Sequence, residues 1–190
     1  MKKLVKLISV PLLALSLQAG DWNTQSLIGI EGGAASFDLE NNMGFADNSQ
    51  SPGSFGLKIG AEGQSYRIFL GGRYYSVSDE FDYANSFGVE MQYLIRFNSN
   101  ANIFAGLNGG VMNMEFSDSQ NRTREVSRGY FGGDLGVNFT LSHNFDIELG
   151  VRYMNLNIEN TKYEDDDTVN TYSIDNMTNA YVSLIYKFKI

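Results

Sequence analysis

The feature that most constrains this chain is a strict two-residue alternation over residues 87–97, FGVEMQYLIRF. Phe87, Val89, Met91, Tyr93, Ile95 and Phe97 are apolar or aromatic, and Gly88, Glu90, Gln92, Leu94 and Arg96 lie between them. A period of two puts these sets on opposite faces of a β-strand. The apolar face begins and ends on a ring. The other face carries one acid and one base among small or polar residues, a character too confined for open water. Such a strand suits the wall of a narrow barrel, with the apolar face towards lipid and the polar face towards the bore.

The same alternation recurs eight times, over 26–39, 54–63, 66–77, 87–97, 102–114, 129–141, 145–158 and 178–190. In 54–63, for example, Phe55, Leu57, Ile59 and Ala61 face out, and Gly56, Lys58, Gly60 and Glu62 face in. In 145–158 the outward set is Phe145, Ile147, Leu149, Val151 and Tyr153, against inward Asp146, Glu148, Gly150, Arg152 and Met154. The connections alternate too. Those after the second, fourth and sixth strands are short enough for tight hairpins. The others are longer and polar: 40–53, 78–86, 115–127 and 159–176. Short turns on one rim and long loops on the other are the plan of an outer-membrane barrel, with both termini on the short, periplasmic rim. The expected fold is therefore all-β: a transmembrane, eight-stranded, antiparallel up-and-down β-barrel.

Composition agrees. The chain has 20 Gly and 24 Phe plus Tyr but only 2 Pro, which suits strands and tight turns. With no cysteine there is neither a disulfide framework nor thiol chemistry. A net charge of −8 argues against nucleic acid as a partner. Residues 1–19 read as a secretory signal peptide: Lys2, Lys3 and Lys6 form a basic head on a run too short to span a membrane as a helix. Its removal would strip three lysines and no acid, taking the net charge to −11 and leaving 20–190 as the barrel domain.

The eight alternating segments and the ending AYVSLIYKFKI carry a resemblance. The chain resembles the small eight-stranded outer-membrane proteins of Gram-negative bacteria, of the OmpA-barrel, OmpX and opacity-porin type. Tyr186, Phe188 and Ile190 look like the C-terminal signal read by the barrel-assembly machinery, although Ile190 stands where the family usually ends in Phe. The resemblance also implies a place in the cell outer membrane, in contact with lipid and lipopolysaccharide. The pattern is architectural and speaks to fold before function.

The candidate functional residues are those expected in the bore: Glu31, Lys58, Glu62, Arg67, Arg73, Glu90, Arg96, Asp134, Glu148, Arg152 and Lys187. Eight strands leave an interior that side chains just fill, so each charge needs a partner. Inward glycines such as Gly56, Gly136 and Gly150 would make room for long Arg and Glu side chains. The expected result is a salt-bridged plug; a gated narrow ion pathway is the reading that the resemblance allows. Aromatic girdles are expected from Phe55, Tyr74, Phe87 and Tyr153 on the loop side. Tyr66, Phe97, Phe139, Phe145 and Phe188 would form the girdle on the turn side.

Other motifs are weaker. The acidic run Glu164-Asp165-Asp166-Asp167 lacks the glycine and spacing of a calcium loop and reads as a solvated loop. Arg122, Arg124 and Arg128 suit lipopolysaccharide phosphates, but Glu115, Asp118 and Glu125 are nearby partners. His143, the one histidine, falls on the turn-side rim, away from where barrel hydrolases keep theirs, and Gly132-Gly133-Asp134-Leu135-Gly136 has no helix after it to form a nucleotide loop. No catalytic residue, metal site or cofactor is expected. The leading expectation is a non-enzymatic outer-membrane barrel with surface loops that contact other cells, host or phage. The alternatives are a small passive ion channel and a soluble, lipocalin-type ligand-binding barrel.

Overall fold

The computed structural model describes residues 24–41, 48–76, 81–117, 123–163 and 169–189, with side chains described over 24–37, 51–76, 83–115, 126–156 and 174–189. The expected signal peptide, the run 164–167 and Ile190 lie outside the described residues. The strands are β1 (Gln25–Asn41), β2 (Asn48–Gln50), β3 (Gly53–Glu62), β4 (Tyr66–Tyr75), β5 (Phe81–Arg96), β6 (Ala101–Ser117), β7 (Thr123–Ser142), β8 (Phe145–Tyr163) and β9 (Val169–Phe188). Each long strand pairs antiparallel with the next, and β1 pairs β9 from Ser26↔Phe188 upward. Eight long strands thus close into an up-and-down barrel with no free edge. The short β2 is a continuation of the β3 line: it pairs with the top of β1 at Phe37↔Gln50, above Pro52, whose missing N–H interrupts the ladder. Pro52 still accepts from Ala35 N at 2.8 Å.

The turn-side rim is built by short, self-bonded connections. Gly63 N donates to Tyr66 O at 2.8 Å. Asn98 Oδ1 accepts from the N–H groups of Asn100 and Ala101 at 2.8 and 2.7 Å, an Asx turn. At the third turn, Asn144 Nδ2 donates to Lys187 O at 2.9 Å and ties the β7–β8 connection to β9.

On the other rim the strands run well into stretches expected as loops. β6 reaches Ser117 and β7 begins at Thr123; β8 reaches Tyr163 and β9 begins at Val169. Ladder pairing such as Glu115↔Glu125 and Lys162↔Asn170 continues there, so most of the expected loops 115–127 and 159–176 is hairpin. A polar composition does not forbid a strand in water, since the ladder satisfies the backbone whatever the side chains are.

Alternation sets the faces. Val89, Met91 and Ile95 are 49%, 50% and 51% exposed, and Glu90 between them is 1%. Apolar side chains therefore sheathe the cylinder and polar ones fill it, the reverse of a lipocalin-type ligand barrel. From Phe87 to Phe97 the outward apolar row makes ten steps; at ~3.3 Å each and a tilt of ~40° this rises roughly 25 Å, the height of a lipid-facing band.

Above that band the pattern inverts. Outward positions become Ser36, Ser76, Asn85, Asn113, Ser127, Asn155 and Asn176. Inward positions become a packed apolar cluster of Ala35, Phe37, Tyr75, Ala84, Met112, Met114, Tyr130, Met154, Leu156, Ile174 and Met177, all under 8% exposed. A bulge between Asn155 and Ile158 shifts the β8–β9 register and turns Ile174 inward. This collar has the polarity of a soluble barrel. The expectation of a bore filled by ion pairs and glycines is corrected here: a region that stands in water acquires an ordinary hydrophobic core.

Candidate functional site

The bore between collar and turns is the only region that gathers charged side chains in numbers among the described residues. Glu31, from β1, lies between Arg73 Nε (2.8 Å), Arg152 Nη1 (2.8 Å) and Lys58 Nζ (3.6 Å). Arg152, from β8, also reaches Glu90 at 2.7 Å and Asp134 at 2.9 Å, and Arg73 pairs with Glu90 as well. Closer to the turns, Lys58 bonds Glu148 at 2.7 Å, and Arg67 spans Glu62 at 2.6 Å and Asp146 at 2.5 Å. Lys187 closes on Asp146 at 2.7 Å. Rings complete the packing: Arg152 lies 4.4 Å from the Tyr181 centroid and Lys58 4.7 Å from that of Phe69.

Ten of the eleven charges expected in the bore are buried there. Arg96 is placed differently. Its side chain is 53% exposed at the turn-side rim and meets Glu62 at 3.4 Å. The inward alternation was right for it, but it is the last residue of β5, where a long side chain extends into solvent. Asp146 is the residue that the charge list missed. It lies in the inward set of its strand and is 1% exposed, so counting every acid in inward phase would have found it.

The glycines have two uses. Gly56 makes room for a cation, since a Cβ there would come 2.9 Å from Arg73 Cγ. Gly150 instead lies under a ring: it pairs directly with Tyr181, and a Cβ would meet the ring at 2.6 Å. Gly136 stands in the same relation to Phe104. Large inward rings thus fit because their cross-strand neighbours have no side chain.

Each described aromatic expected in a girdle faces outward: Phe55, Tyr74, Phe87 and Tyr153 towards the collar, Tyr66, Phe97, Phe139, Phe145 and Phe188 towards the turns. Tyr93 and Tyr186 join the second group, 5.1 Å from Tyr66 and 5.2 Å from Phe145 between centroids. Phe131, 69% exposed, joins the first. His143 is exposed in the β7–β8 turn, and 132–136 is plain strand within β7. Arg128 is exposed; Arg122 and the side chain of Arg124 lie outside the described residues.

Among the described residues, the chemistry that the bore gathers is charge pairing. Comparison with known proteins agrees on architecture. A profile of the outer membrane protein beta-barrel domain matches residues 7–188. No curated protein matches the chain. Among solved structures, Neisserial surface protein A superposes with a TM-score of 0.64 at 16% identity, over 85% of this chain and 97% of that one. OprG of Pseudomonas aeruginosa gives 0.60 at 16% identity, over 87% and 97%. Ail, the attachment invasion locus protein of Yersinia pestis, solved with the heparin analogue sucrose octasulfate, gives 0.53 at 18%, over 86% and 99%. At such identities these likenesses speak to the fold.

Proposed function

This chain belongs to the outer membrane protein beta-barrel domain family, and from that premise we propose that it is a non-enzymatic surface barrel that carries a contact platform above the membrane. The observation that carries this reading is the collar. A barrel that only had to sit in lipid would end at its aromatic rim. Here the wall continues into water with a core of its own, and the β8–β9 ladder runs on to Tyr163↔Val169. That supplies a stiff base for presenting hairpin tips to another cell, a host surface or phage. Attachment, the role in the name of Ail, fits this design. A polyanion such as the one bound to Ail suits it poorly, for this chain carries a net charge of −8.

The short turns and both termini then face the periplasm, with 1–19 removed on export. The outward ring row of Tyr186 and Phe188 on β9 is offered to the barrel-assembly machinery, and exposed Arg128 to lipopolysaccharide phosphate. Ion conduction is not the role, because the bore is blocked twice, by ion pairs and by the collar core. The test has two arms. In planar bilayers the purified barrel gives no discrete openings; a reproducible unitary conductance would overturn the reading. Replacing 159–173 with a tight turn leaves the barrel folded and abolishes attachment of expressing cells to their target surface; unchanged attachment would move the contact elsewhere.

A further inference from the structure

The outer face of the barrel carries a hollow that the ion-paired bore does not use. An open trough of about 400 Å³ crosses β7, β8, β9 and β1 on the lipid-facing side. Its floor is a row of residues in register: Gly136 pairs with Gly150, Gly150 with Tyr181, and Tyr181 with Gly33. All four are in inward phase, so no side chain rises from them into the trough. Gly136 and Gly150 are nonetheless partly exposed, while the rings beneath them, Phe104 and Tyr181, are 0% and 3% exposed. The accessible surface of these glycines therefore lies on the outside. Glycine lets a barrel strand bend sharply, and the bend splays the outward residues on either side.

Those outward residues are the walls: Leu135 and Val151 towards the collar, Val137, Leu149 and Val182 towards the turns. At β9 and β1 the walls fall away, since Ala180, Gly32 and Ala34 stand there. This end meets a breach in the collar-side girdle. Tyr153 on β8 pairs with Thr178, and Phe55 on β3 pairs with Gly32, but neither β9 nor β1 carries an outward ring at that level. Directly above the breach, Ser36 and Thr178 pair across the seam with their hydroxyls outward. The nearest exposed charge on β9 at this end is an acid, Asp175.

The trough has the length and pitch of one acyl chain. Four strands ~4.8 Å apart make it ~14 Å long, and with strands tilted ~40° a row across them climbs ~9 Å. It starts at Gly136, midway along the outward row from Phe131 to Leu141, and ends by Gly33 at the breach. It thus runs from mid-bilayer to one interface, within a single leaflet. A second copy of the barrel fits badly. A symmetric contact would set hollow against hollow and leave a void. The breach is two strands wide, ~10 Å; over a ~25 Å band it offers ~250 Å², against the ~800 Å² per partner of a stable interface. Hydroxyls at the head end suit an acyl carbonyl and its sugar, and the acid beside them disfavours phosphate there. We propose that the trough is a fixed site for one acyl chain of lipopolysaccharide, with the tail tip at Gly136 and the carbonyl at Ser36 and Thr178. The inference rests on the orientation proposed above, which makes the collar side the outer leaflet.

The barrel extracted from outer membranes into mild detergent should, in native mass spectrometry, retain one lipopolysaccharide after bulk lipid is stripped. Gly32→Leu fills the trough from outside; a Cβ at Gly32 would meet nothing nearer than Ser54 O at 4.0 Å. Gly32→Leu and Ala180→Leu should each cut the retained fraction by roughly tenfold or more, with heat-modifiable gel migration reporting that both variants fold. Gly72→Leu, at an outward glycine of β4 whose Cβ would have ordinary 3.8 Å contacts, should leave it unchanged. No retained lipid, equal retention by the two folded trough variants, or a glycerophospholipid in its place overturns the proposal. Orientation is read separately: exposed Ser127, replaced in Ser127→Cys, should react with a membrane-impermeant maleimide on intact cells. Absence of labelling sinks the orientation and with it the choice of lipid, whereas labelling without retained lipid sinks the trough alone.

Discussion

The two sections of the bore are built from one wall by one rule, yet they hold together differently. In the section behind the lipid-facing band, charged inward residues share the bore with a few apolar ones such as Phe69, Leu94 and Phe104, and the ion-pair contacts are directional. Arg152 alone meets Glu31, Glu90 and Asp134. In the collar, inward residues are methionines, tyrosines and branched aliphatics that need only close packing. The difference follows from what lies outside the wall. Where the outer face meets lipid, apolar residues are spent outward and the bore receives the polar set. Where the outer face meets water, the assignment reverses. The switch from Tyr153 and Phe87, exposed and aromatic, to Asn155 and Asn85 on the same face marks the boundary.

The contrast can be broken by substitution, beginning with the largest effect. Glu31→Ala leaves Arg73, Arg152 and Lys58 short of a shared partner in a dry interior, and should cost about 3–5 kcal/mol in reversible urea unfolding. Met154→Ala, at a residue 0% exposed in the collar, should cost about 2–4 kcal/mol by the lost packing and the cavity. It should still admit no current in bilayers, since the ion-paired section remains closed. Arg96→Ala should cost at most about 1 kcal/mol, and that small effect should fade in high salt. If it cost as much as Glu31→Ala, the distinction between the buried charges and the rim would fail.

Much of this was legible in the sequence because alternation is rigid: one step along a strand always changes the face. The eight segments, the outward set and the inward charges follow directly from that. The collar was not legible from the same rule. At Met112, Met114 and Met154 the inward phase is apolar while Asn113 and Asn155 face out, so the period persists with its polarity reversed. A reader who has assigned apolar to the outside sees only a lapse into loop. The aromatic–glycine pairs were hidden for another reason: Gly150 and Tyr181 are distant in sequence, and only the register places one under the other.

The β1–β9 seam has a further consequence, for assembly. Ser26 meets Phe188, so the first strand to leave the ribosome must wait for the last before its outer edge is matched. Any shorter nascent piece exposes two adhesive borders. Such a chain closes like a purse, at the final stitch.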